Sequence, residues 1–473
     1  MRSIGLLVVS LISRASGDEV TAVSAGDRHT CALLQSGQVM CWGSSPRLHK
    51  PTRMPERIDG ISDAIAISAG DGHTCALGKA GDVRCWGWNN FGQLGDGKTR
   101  DLAQPVAAGG VASVAAVFAG HRTTCTLSKN GGVRCFGEGE HGEPNAPYTP
   151  AALTSHAVAA LSAPNAQLTV ALLKDLKLDK GENGDSPLLA WGNDLDRGHL
   201  PSPRRIDGIT MASALGGRRC ALLRSGEVAC WGYRHSGQRG DGRVDEDLSP
   251  RADLFTASLV QGLRDAVALA DGGLFSCAVR RSGQVACWGS NREGQLGSGT
   301  RTLTPVAQPV AVAGLDGVVA LTAGGQHACA LRRGGTVYCW GDNLAGQLGD
   351  GTIAARAHPV AVLGLPGSPV VTTDPRREGE TAQHAYRLVL DALRAPPERQ
   401  LLQFVSECAA NETCQQVCRD ALTHLPDRAR VVAGVRTCLP ALSERAAPQL
   451  STTERRDLAA AVQQLPATLG IAP

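Results

Sequence analysis

Apolar positions along most of this chain fall in runs of about five residues bounded by Gly, Asn, Asp and Ser, a pattern that predicts short strands rather than helices. Residues 266–315, AVALADGGLFSCAVRRSGQVACWGSNREGQLGSGTRTLTPVAQPVAVAGL, show four such runs, of the types AVALA, FSCAV, VACWG and PVAV. The link between the second and third runs is short, contains Gly and has hairpin length. Four strands of about five residues in succession predict one small antiparallel sheet.

The arrangement recurs. HTCALLQSGQVMCWG begins at His29 and HTCALGKAGDVRCWG at His73, with related phrases from Thr123, Arg218, Phe275 and His327. A seventh copy, from Leu168, keeps Ala-Leu-Leu and Trp-Gly but carries Val170 and Ala190 where the others carry cysteine. The register positions Cys31, Cys75, Cys125, Val170, Cys220, Cys277 and Cys329 are separated by 44, 50, 45, 50, 57 and 52 residues. A period of this size signals a repeat architecture. Small sheets that cannot bury both faces alone must stack, and radial stacking leaves only short, protected edges. The expected fold is therefore all-β, a seven-bladed propeller over residues 20–365, with an open solenoid as the rival. The first copy opens at Thr21 with no PVAV run before it, and the last copy ends in one, HPVAVLGL at 358–365. That strand is expected to complete the first blade.

GDGHTCAL, GDVRCWGWNNFGQLGDG and GQHACALRRGGTVYCWGDNLAGQLGDGT resemble the repeat of the regulator-of-chromosome-condensation family. The resemblance covers about residues 20–370 and implies a propeller. It implies less about function, since the family includes a secreted bacterial inhibitor of beta-lactamases as well as guanine-nucleotide exchange factors.

With a three-residue link at 35–37, Leu33 faces Val39 and Cys31 faces Cys41. Opposed residues in a non-hydrogen-bonded antiparallel pair sit about 4.5 Å apart at Cα, which a disulfide accepts. The expected bonds are Cys31–Cys41, Cys75–Cys85, Cys125–Cys135, Cys220–Cys230, Cys277–Cys287 and Cys329–Cys339. In the degenerate copy both cysteines are missing together, as bonded partners should be. Unbonded cysteines packing as small hydrophobes, or zinc ligands, are the alternatives. Disulfides imply an oxidising compartment. The N-terminus agrees, because Arg2, an apolar run from Ile4 to Ile12 and small residues at Ser13 and Ala15 read as a signal peptide over 1–15. No later stretch is apolar for long enough to span a membrane.

Residues 366–380 have the Pro, Thr and charge content of a linker. From 381 to 473, leucines and alanines at three- and four-residue steps predict a small α-helical domain. It holds Cys408, Cys414, Cys418 and Cys438, read as two disulfides of undetermined connectivity or as one zinc site.

With 473 residues, 57 Gly, 4% aromatics and a net charge of +3, composition suits a turn-rich β chain. No basic stripe with interleaved aromatics suggests nucleic acid. A catalytic site would have to break the repeat. His29, His73 and His327 share one register position, and are read as strand-end residues bonding a neighbouring loop. Trp42, Trp86, Trp191, Trp231, Trp288 and Trp340, with Phe136 in the third copy, are read as packing between blades. The turns GQLGDG at 92–97 and 346–351, GQRGDG at 237–242 and GQLGSG at 294–299 lack the marks of a P-loop or EF-hand and are read as tight turns. No cofactor or metal is expected, and neither a Gly-x-Ser-x-Gly elbow nor a His-Glu-x-x-His motif is present.

The blades differ in their loops. On one face, residues 137–150 replace the standard connection and residues 232–255 extend it; on the opposite, hairpin face, residues 174–186 form an insertion. Departures from a rigid repeated scaffold are where binding concentrates, although loop tips also tolerate neutral insertions. Trp88, Phe91, His141, Tyr148, Tyr233, Arg234 and His235 are the candidate contacts. The resulting expectation is a non-catalytic, monomeric propeller, secreted or periplasmic, that binds a protein through one loop face. An exchange factor for a small GTPase and a propeller-scaffold hydrolase or lyase are the alternatives.

Overall fold

The computed structural model describes residues 18–44, 51–138, 158–162, 168–173, 187–194, 198–217, 219–245 and 255–368. The expected signal peptide, the helical region at 381–473 with its four cysteines, His141, Tyr148 and the 174–186 insertion lie outside the described residues.

Seven antiparallel sheets are present, each built from consecutive strands. The first is β1 (Val20–Ala25), β2 (His29–Leu34), β3 (Val39–Gly43) and β4 (Thr52–Arg57). The second is β5 (Ala64–Ala69), β6 (His73–Gly78), β7 (Val83–Gly87) and β8 (Leu102–Ala107). The third shows three strands among the described residues, β9 (Val114–Ala119), β10 (Thr123–Ser128) and β11 (Val133–Gly137). The fourth is β12 (Val158–Ser162), β13 (Leu168–Leu173), β14 (Leu188–Asp194) and β15 (Gly198–Arg205). The fifth is β16 (Ala212–Leu215), β17 (Cys220–Leu223), β18 (Val228–Cys230) and the two-residue β19 (Ser258–Leu259). The sixth is β20 (Ala266–Asp271), β21 (Phe275–Arg280), β22 (Val285–Asn291) and β23 (Thr302–Ala311), and the seventh is β24 (Val318–Ala323), β25 (His327–Arg332), β26 (Val337–Gly341) and β27 (Arg356–Ala361).

The fold is thus a seven-bladed propeller, but its ring closes differently from the expectation. Strand β27 pairs with β26 of its own blade, with Val360 opposite Cys339. The first blade is completed by its own β4, whose Arg57 lies opposite Met40. TRMPER at 52–57 does not look like a strand because an outermost strand has little core to face: Met54 there is 45% exposed. No strand is exchanged; the seventh blade is joined to the first by side chains and by backbone bonds from Gly325 N to the Asp27 carbonyl and from Gly351 N to the Arg53 carbonyl. Thr322 Oγ1 accepts from Ala25 N at 3.0 Å, the same contact that Ser24 makes with Ala69 N and Ser68 with Ala119 N.

The core lies between blades. One cluster joins Ala32 and Trp42 of the first blade to Cys329, Val337 and Leu348 of the seventh. The Gly-Gln-x-Gly turns position this packing. The Gln347, Gln238 and Gln295 carbonyls accept from the indole Nε1 of Trp42, Trp288 and Trp340 in the following blade at 2.8, 3.0 and 2.9 Å. Gly349 has a φ of +66°, and a Cβ there would come within 2.8 Å of the Trp42 Nε1, so both its conformation and the indole's approach require glycine.

The fifth blade replaces a core leucine with charge. Arg239 stands where Leu94, Leu296 and Leu348 are fully buried, and is itself 2% exposed. Its guanidinium donates to Ser258 Oγ and the Thr256 carbonyl, and Asp241 joins the group through Arg234 Nε at 2.9 Å and Ser258 Oγ at 2.8 Å. Burial pushes the Asp241 carboxyl up, but the hydrogen bonds from Arg234 and Ser258 and the charges of Arg234 and Arg239 outweigh it and hold the group below its usual range. Asp241→Ala should cost about 3–5 kcal/mol, because the carboxylate that the buried Arg234 and Arg239 share is lost, leaving Arg234 with Asp245 at 4.0 Å. Arg239→Leu should fall within about 1 kcal/mol of wild type, because the leucine of the other blades fits and Asp241 keeps Arg234. Urea unfolding midpoints of the two variants check this; equal losses would mean that the network is not organised around Asp241.

Candidate functional site

Where they are described, the links from first to second strand and from third to fourth lie on one face of the blades, and the hairpins between second and third strands on the other. The loop face carries the repeat-register histidines. His29, His73 and His327 are buried, and their Nε2 atoms meet Thr74, Thr124 and Thr30 Oγ1 of the next blade at 2.8, 2.8 and 2.9 Å. Thr30 and Thr124 give their single hydroxyl proton to the Gln347 and Gln93 carbonyls. The hydroxyl must therefore accept from the ring, which fixes His327 and His73 as Nε2–H tautomers. Nδ1 of all three rings is buried without a hydrogen-bond partner. Burial lowers the pKa of His29 to about 4 and of His327 and His73 to about 3, so the rings are neutral joints between blades.

Chemistry that breaks the repeat gathers beside the second and third blades. At the register just before these histidines stand Asp27, Asp71 and His121 in the first three blades, and Gly216, Gly273 and Gly325 in the last three. His121 Nδ1 is hydrogen-bonded to Asp71 Oδ2 across the joint between the second and third blades. Trp88 packs on Gly72, where a Cβ would come within 2.3 Å of the indole, and Trp88 N donates to the Gly72 carbonyl. Trp88 is 37% exposed, whereas the other six tryptophans are at most 4% exposed. Phe91 is half-buried beneath the Arg122 guanidinium, 4.4 Å from the ring centroid, and Arg122 also meets Glu138 at 3.5 Å.

The fifth blade carries a second group. Tyr233 and His235 are half-buried with ring centroids 5.9 Å apart, and the Arg219 guanidinium lies 5.7 Å from the Tyr233 ring. Arg234 is 9% exposed and its guanidinium is engaged by Asp241. Trp88 and Phe91 therefore share one loop, and Tyr233, Arg234 and His235 another, with two blades between them. Asp71, His121 and Arg122 were not singled out by sequence reading. Comparing the residue four before each register cysteine would have found the first two, since the position is glycine in three other blades.

In six blades the register cysteines face each other, with Cα–Cα separations of 4.0–4.1 Å and sulfurs at disulfide distance. Val170 and Ala190 are paired in the same register in the fourth. Among the described residues no helix is long and apolar enough to cross a membrane.

The propeller and its blade motifs define the class: the blades carry regulator of chromosome condensation repeats. The regulator of chromosome condensation (RCC1) repeat matches residues 20–47, 64–93, 266–295 and 318–347 in one form and 80–127, 282–331 and 334–373 in another. Residues 128–265 lie outside both sets. The chain is 34% identical over 190 residues to a probable E3 ubiquitin-protein ligase, HERC6, of Homo sapiens, covering 39% of this chain and 17% of that protein. It is 31% identical over 183 residues to the mitochondrial RCC1 domain-containing protein RUG3 of Arabidopsis thaliana, covering 36% of this chain and 39% of that one. The matches thus span less than half of these relatives' lengths. Among solved structures, Prp20p of Saccharomyces cerevisiae superposes with a TM-score of 0.57 at 18% identity, over 73% of this chain and 87% of its own. That likeness concerns the fold.

Proposed function

We propose that this propeller works outside the reducing cytoplasm, secreted or in the cell envelope, and binds another protein through its loop face over the arc of the second to fifth blades, without catalysing a reaction on it. The observation that carries the reading is the concentration of non-repeating side chains on that arc. Trp88 and Arg122 on one side and Tyr233 on the other are of the types that dominate binding energy at interfaces, with Phe91 and His235 beside them. The described parts of residues 128–265, outside the family matches, belong to the same arc. The six facing cysteine pairs support an oxidising compartment.

The exchange-factor alternative has one observation in its favour, the likeness to Prp20p, a structure described together with binding to Gsp1p and histones. Two measurements separate the readings. Alkylation of protein taken from its native compartment without reductant, followed by peptide mapping, should find all twelve propeller cysteines paired; free thiols throughout would return the protein to the cytoplasm. A photocrosslinking side chain in place of Asn90, on the loop face, should capture one discrete protein in the native host. The same side chain at Ser282, on a hairpin, should not. Capture from both positions, or from Ser282 alone, would refute the loop-face assignment.

A further inference from the structure

The hairpin face carries a charge pattern that the protein-binding reading does not use. The first hairpin position is Lys79, Lys129, Arg224, Arg281 and Arg333 in the second, third, fifth, sixth and seventh blades, and Gln35 in the first. All five cations are exposed. Their backbone N–H groups bond the chain entering the first strand of the same blade, at the carbonyls of Asp63, Ser113, Met211, Asp265 and Gly317, at 2.8–3.1 Å. The cations are therefore held at one height around the propeller. Arg264, also exposed, lies beside them, and its carbonyl is 2.8 Å from where a Cβ on the hairpin residue Gly226 would stand.

Carboxylates of this face are largely matched by other arginines. Arg84 pairs with Asp63 and Asp82, Arg280 with Asp265, and Arg332 with Asp316. Glu227 accepts from Ser225, and the remaining acids of this face among the described residues are Asp18, Glu19 and Asp59 by the first blade and Asp207 at the entry to the fifth. None of the six cations is ion-paired to a described residue. Among the described residues, positive charge is thus left over on the third, sixth and seventh blades, while Glu227 and Asp207 offset Arg224 on the fifth.

Exposed aliphatic side chains accompany it. Met211 is 58% exposed, Val267 50% and Val319 52%, each at the start of the innermost strand of its blade, at the hairpin end. A nucleic acid would use the cations but has no use for aliphatic groups away from its bases. A groove for a linear polyanion would line charges up in a row, whereas these are spread around a ring. A flat anionic surface with an apolar layer beneath it satisfies both features at once.

We propose that the hairpin face is a peripheral docking surface for an anionic lipid bilayer, with Lys129, Arg224, Arg264, Arg281 and Arg333 at the headgroups and Met211, Val267 and Val319 against the boundary of the acyl chains. Docking by this face leaves the loop face turned away from the membrane and open to a protein partner. The inference does not depend on the identity of that partner.

The test is flotation of the purified full-length chain with vesicles of phosphatidylcholine alone or mixed with phosphatidylglycerol, at low and high salt. Binding should require phosphatidylglycerol and weaken as salt rises. Each cation removed should cost about fivefold in affinity, so Arg224→Gln, Arg281→Gln, Arg333→Gln together should cost about a hundredfold. Arg28→Gln and Arg292→Gln on the loop face should cost nothing measurable. Met211→Ser with Val319→Ser should weaken vesicle binding and leave retention on heparin or duplex DNA unchanged. Unchanged thermal midpoints keep a folding defect from mimicking loss of binding. No binding of the wild type to anionic vesicles overturns the proposal. So does equal binding to DNA and vesicles with no effect of the serine variants, which would make the face a general polyanion site.

Discussion

Lowering the pH from 7 to about 4.5 is expected to remove on the order of 8 kcal/mol of stability, enough to unfold an ordinary domain. The cause is the ring of His29, His73 and His327. Burial lowers their folded pKa values to about 4, 3 and 3, while the unfolded chain titrates near 6.5. Below 6.5 the unfolded state therefore binds more protons. Their contribution is fully present above that pH and is lost as pH falls toward 4 and 3, at roughly 2–3 kcal/mol per histidine by pH 4.5. A proton on Nδ1 has nowhere to go, since that nitrogen is buried without a partner in all three rings. The combined variant His29→Gln, His73→Gln, His327→Gln keeps an N–H donor for the threonine and does not titrate. Its urea midpoint should be nearly flat between pH 6.5 and 4.5, where the wild type falls steeply. Parallel curves would mean that these rings are not neutral in the folded protein. Phe275 fills the same register in the sixth blade at 1% exposure, so the site tolerates a ring that cannot charge.

The cysteine pairs should dominate stability under oxidising conditions. Each pair spans a sequence separation of 10, for which loop-closure entropy gives about 2.7 kcal/mol. The fourth blade supplies the control, because Val170 and Ala190 fill the two positions at 0% exposure. Cys31→Val with Cys41→Ala should therefore lower the unfolding free energy by about 2–3 kcal/mol, with little loss of packing. Repeating the exchange in all six blades should leave too little to keep the ring folded, since the sum is about equal to the whole stability of a typical protein. A midpoint unchanged by the first exchange, in protein purified without reductant, would show that the pair is not bonded. A fall several times larger would point to lost packing instead.

Strand register was legible because the repeat states it many times. The facing of Cys31 and Cys41, and of Leu33 and Val39, follows from hairpin length and is observed. The tryptophans between blades were legible for the same reason. The outer strand of the first blade was not, since Thr52–Arg57 packs against one neighbour and needs no apolar run. Lacking that strand, the sequence suggested a ring closed by strand exchange, whereas the ring closes through Thr322, His327 and Gln347 meeting Ala25, Thr30 and Trp42.

Departures from the repeat could be read from the sequence, but not their surroundings: Trp88 is 37% exposed, whereas Arg234 is engaged in the interior. An arginine in a loop reads as a surface group until its carboxylate is located, and Asp241 is seven residues away.

By itself the sequence determined the number of blades, the three inner strands of the repeat and the facing of the cysteines, because those depend on local periodicity and hairpin length. Only the tertiary structure decided how the ring closes, that His121 meets Asp71 and Arg122 covers Phe91, and which charges remain unmatched on the hairpin face. Those are contacts between blades, separated along the chain by 50 residues for His121 and Asp71 and by 297 for Thr30 and His327, and no local pattern records which side chains radial stacking will bring together.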